Sequence, residues 1–188
     1  MGYWDPIPTL KNLPVDPVFA TGEWESTGPW AGRWQQRNWR NVPGPFYGAE
    51  TDTCLTGRLH APDLVLYDDE YGQEFVYRQP RNPEEVGDLL TAATEEALVG
   101  YHHDGDLHWT PELVRDWWRE RGRVREWAMG VGWGAWATSE RAEHRDTAEG
   151  ARAYAAHIDG PLSEYLRGYV FFLAEARPPR AGEPLPAL

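Results

Sequence analysis

The stretch WTPELVRDWWRERGRVREWAMGVGWGAW, residues 109–136, contains six of the eleven tryptophans of this 188-residue chain. A tryptophan ring buries about 150–250 Å² and its N–H needs a partner, so this stretch concentrates contacts. The tripeptide TPE at residues 110–112 is typical of a helix start, and Gly122 is typical of a helix end. The first half of the stretch therefore predicts a helix that runs to about Arg121.

The residues that follow this helix, 123–137, alternate in the manner of a strand. In an extended chain one face would carry the large side chains and the other the small residues, which are Trp127, Met129, Val131 and Trp133 against Ala128, Gly130, Gly132 and Gly134. A bare glycine face lets another backbone, an aromatic ring or a flat ligand approach closely. Close packing against a helix or another tryptophan is the alternative. The G-x-G-x-G spacing is not that of a dinucleotide-binding loop.

Turn and cap residues mark the other elements. The sequence NPEE at residues 82–85 is a good helix start, and Gly100 ends that helix. Asp104-Gly105 is a tight-turn dipeptide inside the segment 101–109. The remaining predicted elements are strands at 30–41, 53–59, 64–67, 74–79 and 169–176, and helices at 140–158 and 161–167. For residues 30–41 a helix is the alternative.

This order of elements lacks regular β-α-β alternation, so it predicts an α+β fold. We expect a mainly antiparallel sheet, about three to four helices packed on it and a tryptophan-rich core. A single domain over residues 1–177 is predicted, with a Pro- and Gly-rich irregular lead-in, residues 1–29, packed on it. Residues 178–188 are predicted to form a flexible Pro-rich tail.

Composition indicates a cytoplasmic location. The single cysteine, Cys54, excludes an internal disulfide bond and fits a reducing compartment. The first residues lack the basic and apolar regions of a secretory signal. No apolar run is long enough to span a bilayer.

Charge is unevenly distributed along the chain. The net charge is −12, and residues 50–107 carry fourteen acidic residues against three arginines. Such a surface disfavours nucleic acid and anionic membranes, whose binding requires Lys and Arg. It favours rapid encounter with a basic protein partner. Solubility alone is the plainer interpretation.

Two groups of residues are candidate contacts for that partner. Four acids crowd one predicted hairpin loop: Asp68, Asp69, Glu70 and Glu74. Trp117 and Trp118 are adjacent on a predicted helix, so their rings point about 100° apart and both cannot occupy the centre of one narrow buried face. An exposed ring would be an interface anchor, because binding hot spots favour Trp, Tyr and Arg. Burial of both rings is the alternative.

The segment HHDGDLH, residues 102–108, is a candidate divalent-metal site. In an extended segment four side chains would share one face: His102, Asp104, Asp106 and His108. Such a mixed nitrogen and oxygen set suits zinc, manganese or iron. A hairpin turn at Asp104-Gly105 would instead place His103 opposite Asp106. No other cofactor is predicted.

These features lead to a first hypothesis and two alternatives. The first is a non-enzymatic acidic module of the inhibitor or immunity-protein type that binds a basic protein. The second is a small-molecule-binding protein or metal-dependent enzyme that uses residues 102–108 and a Trp-lined pocket. The third is a sugar-binding protein that uses Trp30, Trp34 and Trp39. The chain has no GxSxG, Walker A or HExxH motif, so catalysis is not predicted.

Overall fold

The computed structural model describes residues 3–13 and 33–188. The chain divides into an N-terminal unit, residues 5–108, and a C-terminal unit, residues 109–188 with residues 1–4. Helices in the described residues are α1 (Ile7–Asn12), α2 (Gly57–His60), α3 (Pro83–Glu95), α4 (Pro111–Trp133), α5 (Ala142–Asp159) and α6 (Leu162–Glu175). The strands there are β1 (Tyr47–Gly48), β2 (Val65–Tyr67), β3 (Glu74–Val76) and β4 (Tyr101–His102).

The α+β class is confirmed, but the prediction of a mainly antiparallel sheet is wrong, and the described residues form six helices where about three to four were predicted. Two small antiparallel pairs occur in the described chain, β1 with β4 and β2 with β3. In the first pair Tyr47 lies opposite His102, and in the second Leu66 lies opposite Phe75. Both pairs belong to the N-terminal unit, and the C-terminal unit is helical where it is described.

The predicted strand at residues 123–137 is wrong, because most of it is the second half of α4. The buried side chains of that half recur at the three- and four-residue spacing of a helix: Val124, Ala128 and Val131. Gly132 allows α5 to pack closely, since a Cβ atom there would lie 2.8 Å from Cγ of Arg152. Gly132, one of the small residues that suggested a strand face, is therefore a position where two helices pack.

The predicted strand at residues 169–176 is also wrong, because most of it lies in α6. Helix α6 buries one stripe of side chains at helical spacing: Leu162, Leu166, Tyr169 and Val170. Tyr3 covers this helix, with its ring centre 4.9 Å from that of Phe172 and 5.3 Å from that of Tyr169. Gly168 makes the contact possible, since a Cβ atom there would lie 2.6 Å from Cβ of Tyr3.

The prediction of a tryptophan-rich core is not supported by the described residues. Trp109 is the one buried tryptophan among them, and Trp133 is 59% exposed. The C-terminal core is instead built from aliphatic residues, alanine and tyrosine, including Ala151, Tyr154 and Ile158 of α5. Small alanines on α5 let neighbouring helices approach closely, which leaves little space for indole rings between them.

Several predictions for the N-terminal unit are confirmed. Helix α3 begins as expected, with Asn82 as N-cap and Pro83 in the first turn, and Oδ1 of Asn82 accepts a hydrogen bond from the backbone N–H of Glu85 at 2.9 Å. The β2–β3 hairpin also forms within the strands predicted at residues 64–67 and 74–79. In the C-terminal unit, α5 matches the predicted helix at residues 140–158.

Two predicted strands of the N-terminal unit are wrong. The segment 53–59 contains the start of α2, and its only regular structure is helical. The described part of the segment 30–41 forms a 3₁₀ helix at Trp34–Gln36 and a single bridge between Arg37 and Ala49. In both places, isolated β-branched or aromatic residues indicate strands. These strands do not form, because neighbouring chain segments provide too few backbone hydrogen bonds.

Hydrogen bonds from buried side chains connect segments that the predicted sheet would have joined. Asn41 Oδ1 accepts hydrogen bonds from the backbone N–H groups of Gly48 and Val76, both at 2.9 Å. Its Nδ2 donates to the carbonyl oxygens of Asn38 at 2.6 Å and Gly48 at 2.9 Å. One amide side chain thus links β1 to β3 where no ladder joins them.

The predicted domain boundaries are not tested. Most of the lead-in, residues 1–29, lies outside the described residues, while residues 7–12 of it form α1. The single domain over residues 1–177 and the flexible tail over residues 178–188 stay predictions. Arg167 donates hydrogen bonds to carbonyl oxygens at residues 185 and 186 of this tail. In the described chain, no helix has the length and apolar character required to cross a membrane.

Two glycine substitutions test the continuity of α4. Gly122→Ala should stabilise the protein by about 0.5–1 kcal/mol, because the site is open and alanine favours helix over glycine. Gly132→Ala should destabilise it by about 1–3 kcal/mol, because the added methyl group meets Arg152. Urea denaturation measures both changes. A loss of stability in Gly122→Ala would contradict a helix that passes through this residue.

Candidate functional site

The acidic loop, residues 68–73, connects β2 to β3 and is fixed by one buried carboxylate. Asp68 is 1% exposed, and its Oδ1 accepts hydrogen bonds from the three successive backbone N–H groups of residues 70–72 at 2.7–3.3 Å. Its Oδ2 accepts a hydrogen bond from Nδ2 of Asn38 at 3.1 Å. Asp68 is therefore used inside the protein and is not available to a partner.

The same loop presents three other side chains to solvent. Asp69 is exposed although its Oδ1 lies 3.8 Å from Nη2 of Arg40, Glu70 is exposed, and Tyr71 is 67% exposed. A hydrogen bond from the Tyr71 hydroxyl to the Glu70 carboxylate raises the pKa of Tyr71. Gly72 has a φ of +75°, a conformation that suits glycine, and it closes the turn behind these side chains. The result is an ordered loop with one aromatic ring beside two acids.

Glu74, the fourth predicted partner contact, is buried. Its Oε1 accepts hydrogen bonds from the backbone N–H groups of Thr56 at 3.1 Å and Gly57 at 2.9 Å. Its Oε2 accepts a short hydrogen bond from the hydroxyl of Tyr101. Burial raises the pKa of Glu74 despite these hydrogen bonds. The carboxylate thus links α2, β3 and β4, and it is not accessible to a partner protein.

Neither ring of the Trp117–Trp118 pair is fully exposed. Both side chains are half-buried, and the indole nitrogen of Trp117 is buried without a hydrogen-bond partner in the described structure. The guanidinium carbon of Arg121 lies 3.9 Å from the centre of the Trp118 ring, and Arg121 also donates to the carbonyl oxygen of Trp118. The role of this pair as a partner anchor stays a prediction.

Trp133 is the most exposed tryptophan among the described residues, and it is not one of the predicted site residues. It lies one turn after Met129 on the outer side of α4, and the two side chains are 59% and 37% exposed. Their spacing of four residues is the signal that could have found them, because it places them on one face of a helix. That signal is hidden when residues 123–137 are interpreted as a strand.

The predicted metal-binding segment is neither extended nor a hairpin. Residues 105–107 form a 3₁₀ helix, which residues 103 and 104 separate from β4. Gly105 is required there, since a Cβ atom would lie 2.2 Å from the carbonyl oxygen of Gly44. His102 is 1% exposed, and its ring centre lies 5.2 Å from that of Tyr47. Among residues 3–13 and 33–188, no group of three or more His, Cys, Asp or Glu is placed to hold a metal ion.

The 3₁₀ helix does bring two predicted ligands together, Asp104 and His108. Asp104 Oδ2 lies 3.0 Å from Nε2 of His108, and Asp104 Oδ1 accepts a hydrogen bond from the hydroxyl of Tyr47 at 2.7 Å. Burial raises the pKa of Asp104, but the hydrogen bonds from Tyr47 and His108 outweigh it, so the pKa is lowered. The His108 side chain stays 33% exposed. Asp106, the fourth predicted ligand, is half-buried in the same 3₁₀ helix.

The aromatic residues near this pair are already covered. The Trp34 ring stacks on His108 with centres 4.9 Å apart, and the guanidinium carbon of Arg37 lies 3.9 Å from the same ring. Arg40 packs on Trp39 at 4.5 Å. Trp30 lies outside the described residues. The Trp34 ring therefore has no open face on which a sugar could stack.

A small apolar cavity lies next to β4 in the N-terminal unit. Its volume is about 10 Å³, close to the space needed by one water molecule. It is lined by Leu10, Phe46, Leu89, Leu90, Ala93, Tyr101, His102 and His103. Burial lowers the pKa of His103. This lining contains no tryptophan, so the cavity is not the predicted Trp-lined pocket.

Comparison with known proteins provides no assignment. The chain matches no protein-family model, no curated protein and no solved structure. The chemistry of the described side chains is therefore the basis for a functional proposal.

The buried carboxylate of Glu74 predicts a specific pH dependence. Because its folded pKa is raised, the folded state keeps this proton when the unfolded state has lost it. Its contribution to the free energy of unfolding should therefore fall as pH rises from the ordinary glutamate pKa through the raised one. Glu74→Gln stays neutral and keeps an acceptor for Thr56 and Gly57, so it should lack this fall.

Urea denaturation at a series of pH values measures the difference between Glu74→Gln and the parent protein. Glu70→Gln is the matched control, since it makes the same chemical change on the exposed part of the acidic loop. The control should keep the parent's pH profile. An unchanged profile in Glu74→Gln would contradict a shifted buried carboxylate at this position.

Proposed function

We propose that this protein is a cytoplasmic, non-enzymatic binding module of the inhibitor or immunity type that holds a basic protein partner. The observation that carries the proposal is the acidic loop, where Tyr71 is 67% exposed beside Asp69 and Glu70. Tyrosine is enriched in binding hot spots because it buries a large area with few rotatable bonds. Lysine and arginine side chains of a partner would complement the Glu70 carboxylate and the part of the Asp69 carboxylate that stays exposed beside Arg40.

The order of the loop supports this proposal. Asp68 fixes three successive backbone N–H groups, so the loop holds its conformation without a partner. A loop that is already ordered loses less conformational entropy on binding, which leaves more of the contact energy for affinity.

The charge of the N-terminal unit also supports a basic partner. It has eighteen Asp and Glu residues against seven Lys and Arg residues. Four of these acids are buried and satisfy internal groups: Asp52, Asp68, Glu74 and Glu96. Exposed acids nonetheless remain on the loop and on α3, among them Asp69, Glu70, Glu84 and Asp88. Their field would accelerate encounter with a cationic protein and would oppose nucleic acid and anionic membranes.

Substitutions in the loop test the proposal. A tagged pull-down from the source cells, at low and at moderate salt, should retain one basic protein. Tyr71→Ala should weaken its binding at least about tenfold, as truncation of a central aromatic anchor does. Asp69→Asn with Glu70→Gln should slow association and reduce the salt dependence. Titration calorimetry and stopped-flow kinetics with the purified partner measure these changes.

The double variant Glu84→Gln with Asp88→Asn is the matched control, because it removes the same charge from exposed positions on α3. Its affinity should change by less than about twofold. Equal affinity of Tyr71→Ala and the parent protein, or capture of no basic protein, would overturn the proposal.

The contact between Asp104 and His108 favours a second candidate function, a small-molecule site or a metal-dependent enzyme. A carboxylate that accepts the Nε2–H proton of a histidine fixes the ring and its tautomer. In the neutral tautomer that donates from Nε2, the Nδ1 atom of His108 is an acceptor, and the described residues form no hydrogen bond to it. Such a nitrogen can accept a proton from a bound substrate or ligate a metal, with the carboxylate behind it.

Metal analysis tests the metal-dependent form of this second function. Under this function, Zn²⁺ should bind to the parent protein saturably, with a stoichiometry near one ion per chain. His108→Ala should abolish this binding, while His60→Ala, a histidine on α2, should keep it. Isothermal titration calorimetry provides the measurement. Absence of saturable binding in the parent protein, or equal binding by His108→Ala, would contradict this function.

A further inference from the structure

A short proline-rich segment follows α6 and lies against the helices of the C-terminal unit. We call it the strap, and it consists of residues 184–188, with the sequence PLPAL. The strap has no regular secondary structure. Three of its side chains are nevertheless half-buried: Leu185, Pro186 and Leu188. The strap is therefore seated on the protein in the way that a bound peptide would be.

Two arginines, one on α4 and one on α6, hold the strap by its backbone. Arg167 donates from Nε to the carbonyl oxygen of Pro186 at 2.9 Å and from Nη2 to that of Leu185 at 2.8 Å. Arg115 Nε donates to the carbonyl oxygen of Ala187 at 3.1 Å. Three successive carbonyl groups thus accept hydrogen bonds from charged donors, which are stronger than those from neutral donors. We call Arg115 and Arg167 together the strap site.

This mode of binding suits a proline-rich backbone. Pro184 and Pro186 have no N–H group, so the strap cannot join a sheet edge through a regular ladder. Its carbonyl oxygens remain as acceptors, and each arginine provides several N–H donors in a fixed plane. Proline also fixes φ, so the segment loses less conformational entropy when it binds. Recognition of proline-rich peptides by other proteins depends on the same pre-formed backbone.

A turn with its own contacts connects α6 to the strap. The carboxylate of Glu183 accepts hydrogen bonds from Nη1 and Nη2 of Arg177 at 2.9 and 2.6 Å, and from the backbone N–H of Arg180 at 2.9 Å. Gly182 has a φ of +80°, which suits glycine. The guanidinium carbon of Arg177 lies 4.9 Å from the centre of the Phe171 ring on α6. The turn is therefore attached to α6 independently of the strap site.

The strap site recognises backbone chemistry and not charge. The strap has no charged side chain, and the hydrogen bonds from Arg115 and Arg167 end on carbonyl oxygens. Glu112 Oε1 lies 3.7 Å from Nη1 of Arg115, which leaves Nε of this arginine for a carbonyl group. Another segment with the same backbone can therefore form the same hydrogen bonds.

Few contacts hold the strap in place. Its hydrogen bonds with Arg115 and Arg167 are exposed to solvent, and residues 184–188 are all exposed or half-buried. Segments with few buried contacts and exposed hydrogen bonds open at a low free-energy cost. Release of the strap would therefore free the strap site without unfolding the helices.

We propose that the strap site binds a proline-rich segment of a partner protein, and that the strap occupies the site until this segment displaces it. The strap itself identifies the occupant, because its Pro-Leu-Pro sequence is the chemistry that the two arginines bind. The strap lowers the apparent affinity for the partner segment, since this segment binds only the fraction of molecules whose site is free. The site lies in the C-terminal unit and goes beyond the function proposed for the acidic loop.

A fluorescein-labelled peptide with the sequence of residues 182–188 tests this proposal on the full chain. The open variant carries three substitutions in the strap, Pro184→Ser, Leu185→Ser and Pro186→Ser, so that the strap competes less well for the site. Fluorescence anisotropy should show saturable binding of the peptide to the open variant, at least about tenfold tighter than to the parent protein. A second peptide, with alanine in place of both prolines, should bind the open variant at least about fivefold more weakly.

Substitutions of arginine locate the binding site. In the open variant, Arg115→Gln and Arg167→Gln should each lower the affinity at least about fivefold, because each removes charged donors to the peptide backbone. Arg119→Gln is the matched control, since this exposed arginine on α4 is paired with Asp116, and it should change the affinity less than about twofold. Tyr71→Ala should leave peptide binding unchanged, so failure of this proposal can be distinguished from failure of the proposed function.

Glu183→Gln provides a second way to free the strap site if the serine substitutions unfold the protein, which thermal unfolding shows. It weakens the turn at Arg177 and leaves the strap sequence and both arginines of the site unchanged. This variant should bind the peptide at least about threefold more tightly than the parent protein.

Four outcomes would overturn the proposal. The first is no saturable binding of the peptide to either the open variant or Glu183→Gln. The second is equal binding by the open variant with and without Arg115→Gln and Arg167→Gln. The third is equal affinity for the two peptides. The fourth is a different occupant, shown by a dimer in the parent protein that the serine substitutions convert to a monomer, because the strap would then be exchanged between two copies.

Discussion

The buried carboxylate of Glu74 is the constraint on which the N-terminal unit depends. It accepts hydrogen bonds from Thr56, Gly57 and Tyr101, and so ties three elements that no common sheet connects. Gly57 has room only for hydrogen, since a Cβ atom would lie 2.1 Å from Oε2 of Glu74. Removal of one partner from such a buried group leaves the others unsatisfied, which costs about 1–3 kcal/mol for each group.

Local signals predicted the elements that have local causes. The Asn82 cap begins α3, and two short strand-like runs on either side of the acidic loop predict the β2–β3 hairpin, because both depend on neighbours in sequence. The failures at residues 123–137 and 169–176 share another cause. Short apolar runs fit a strand or a buried helix equally well, and the packing partner decides between them. For α6 that partner includes Tyr3, which is distant in sequence.

The candidate sites also contain features that depend on neighbours in sequence and features that depend on the folded structure. The existence of the acidic loop could be predicted, but the burial of Asp68 could not, because an Asp in a hairpin can face solvent or satisfy the turn. The contact between Asp104 and His108 results from a 3₁₀ turn that replaces the predicted alternation. The exposure of Trp133 follows from the continuity of α4. It could not be predicted while residues 123–137 were interpreted as a strand.

We propose that the exposed carboxylates of the acidic loop contact a basic partner. Carbodiimide cross-linking of the purified complex tests it most directly, since this reagent joins carboxylates to lysine amines only when they touch. Cross-links should map by mass spectrometry to Asp69 and Glu70 and be absent from Glu84 and Asp88 on α3. Cross-links confined to α3, or none on the loop in a stable complex whose partner has interfacial lysines, would contradict the claim.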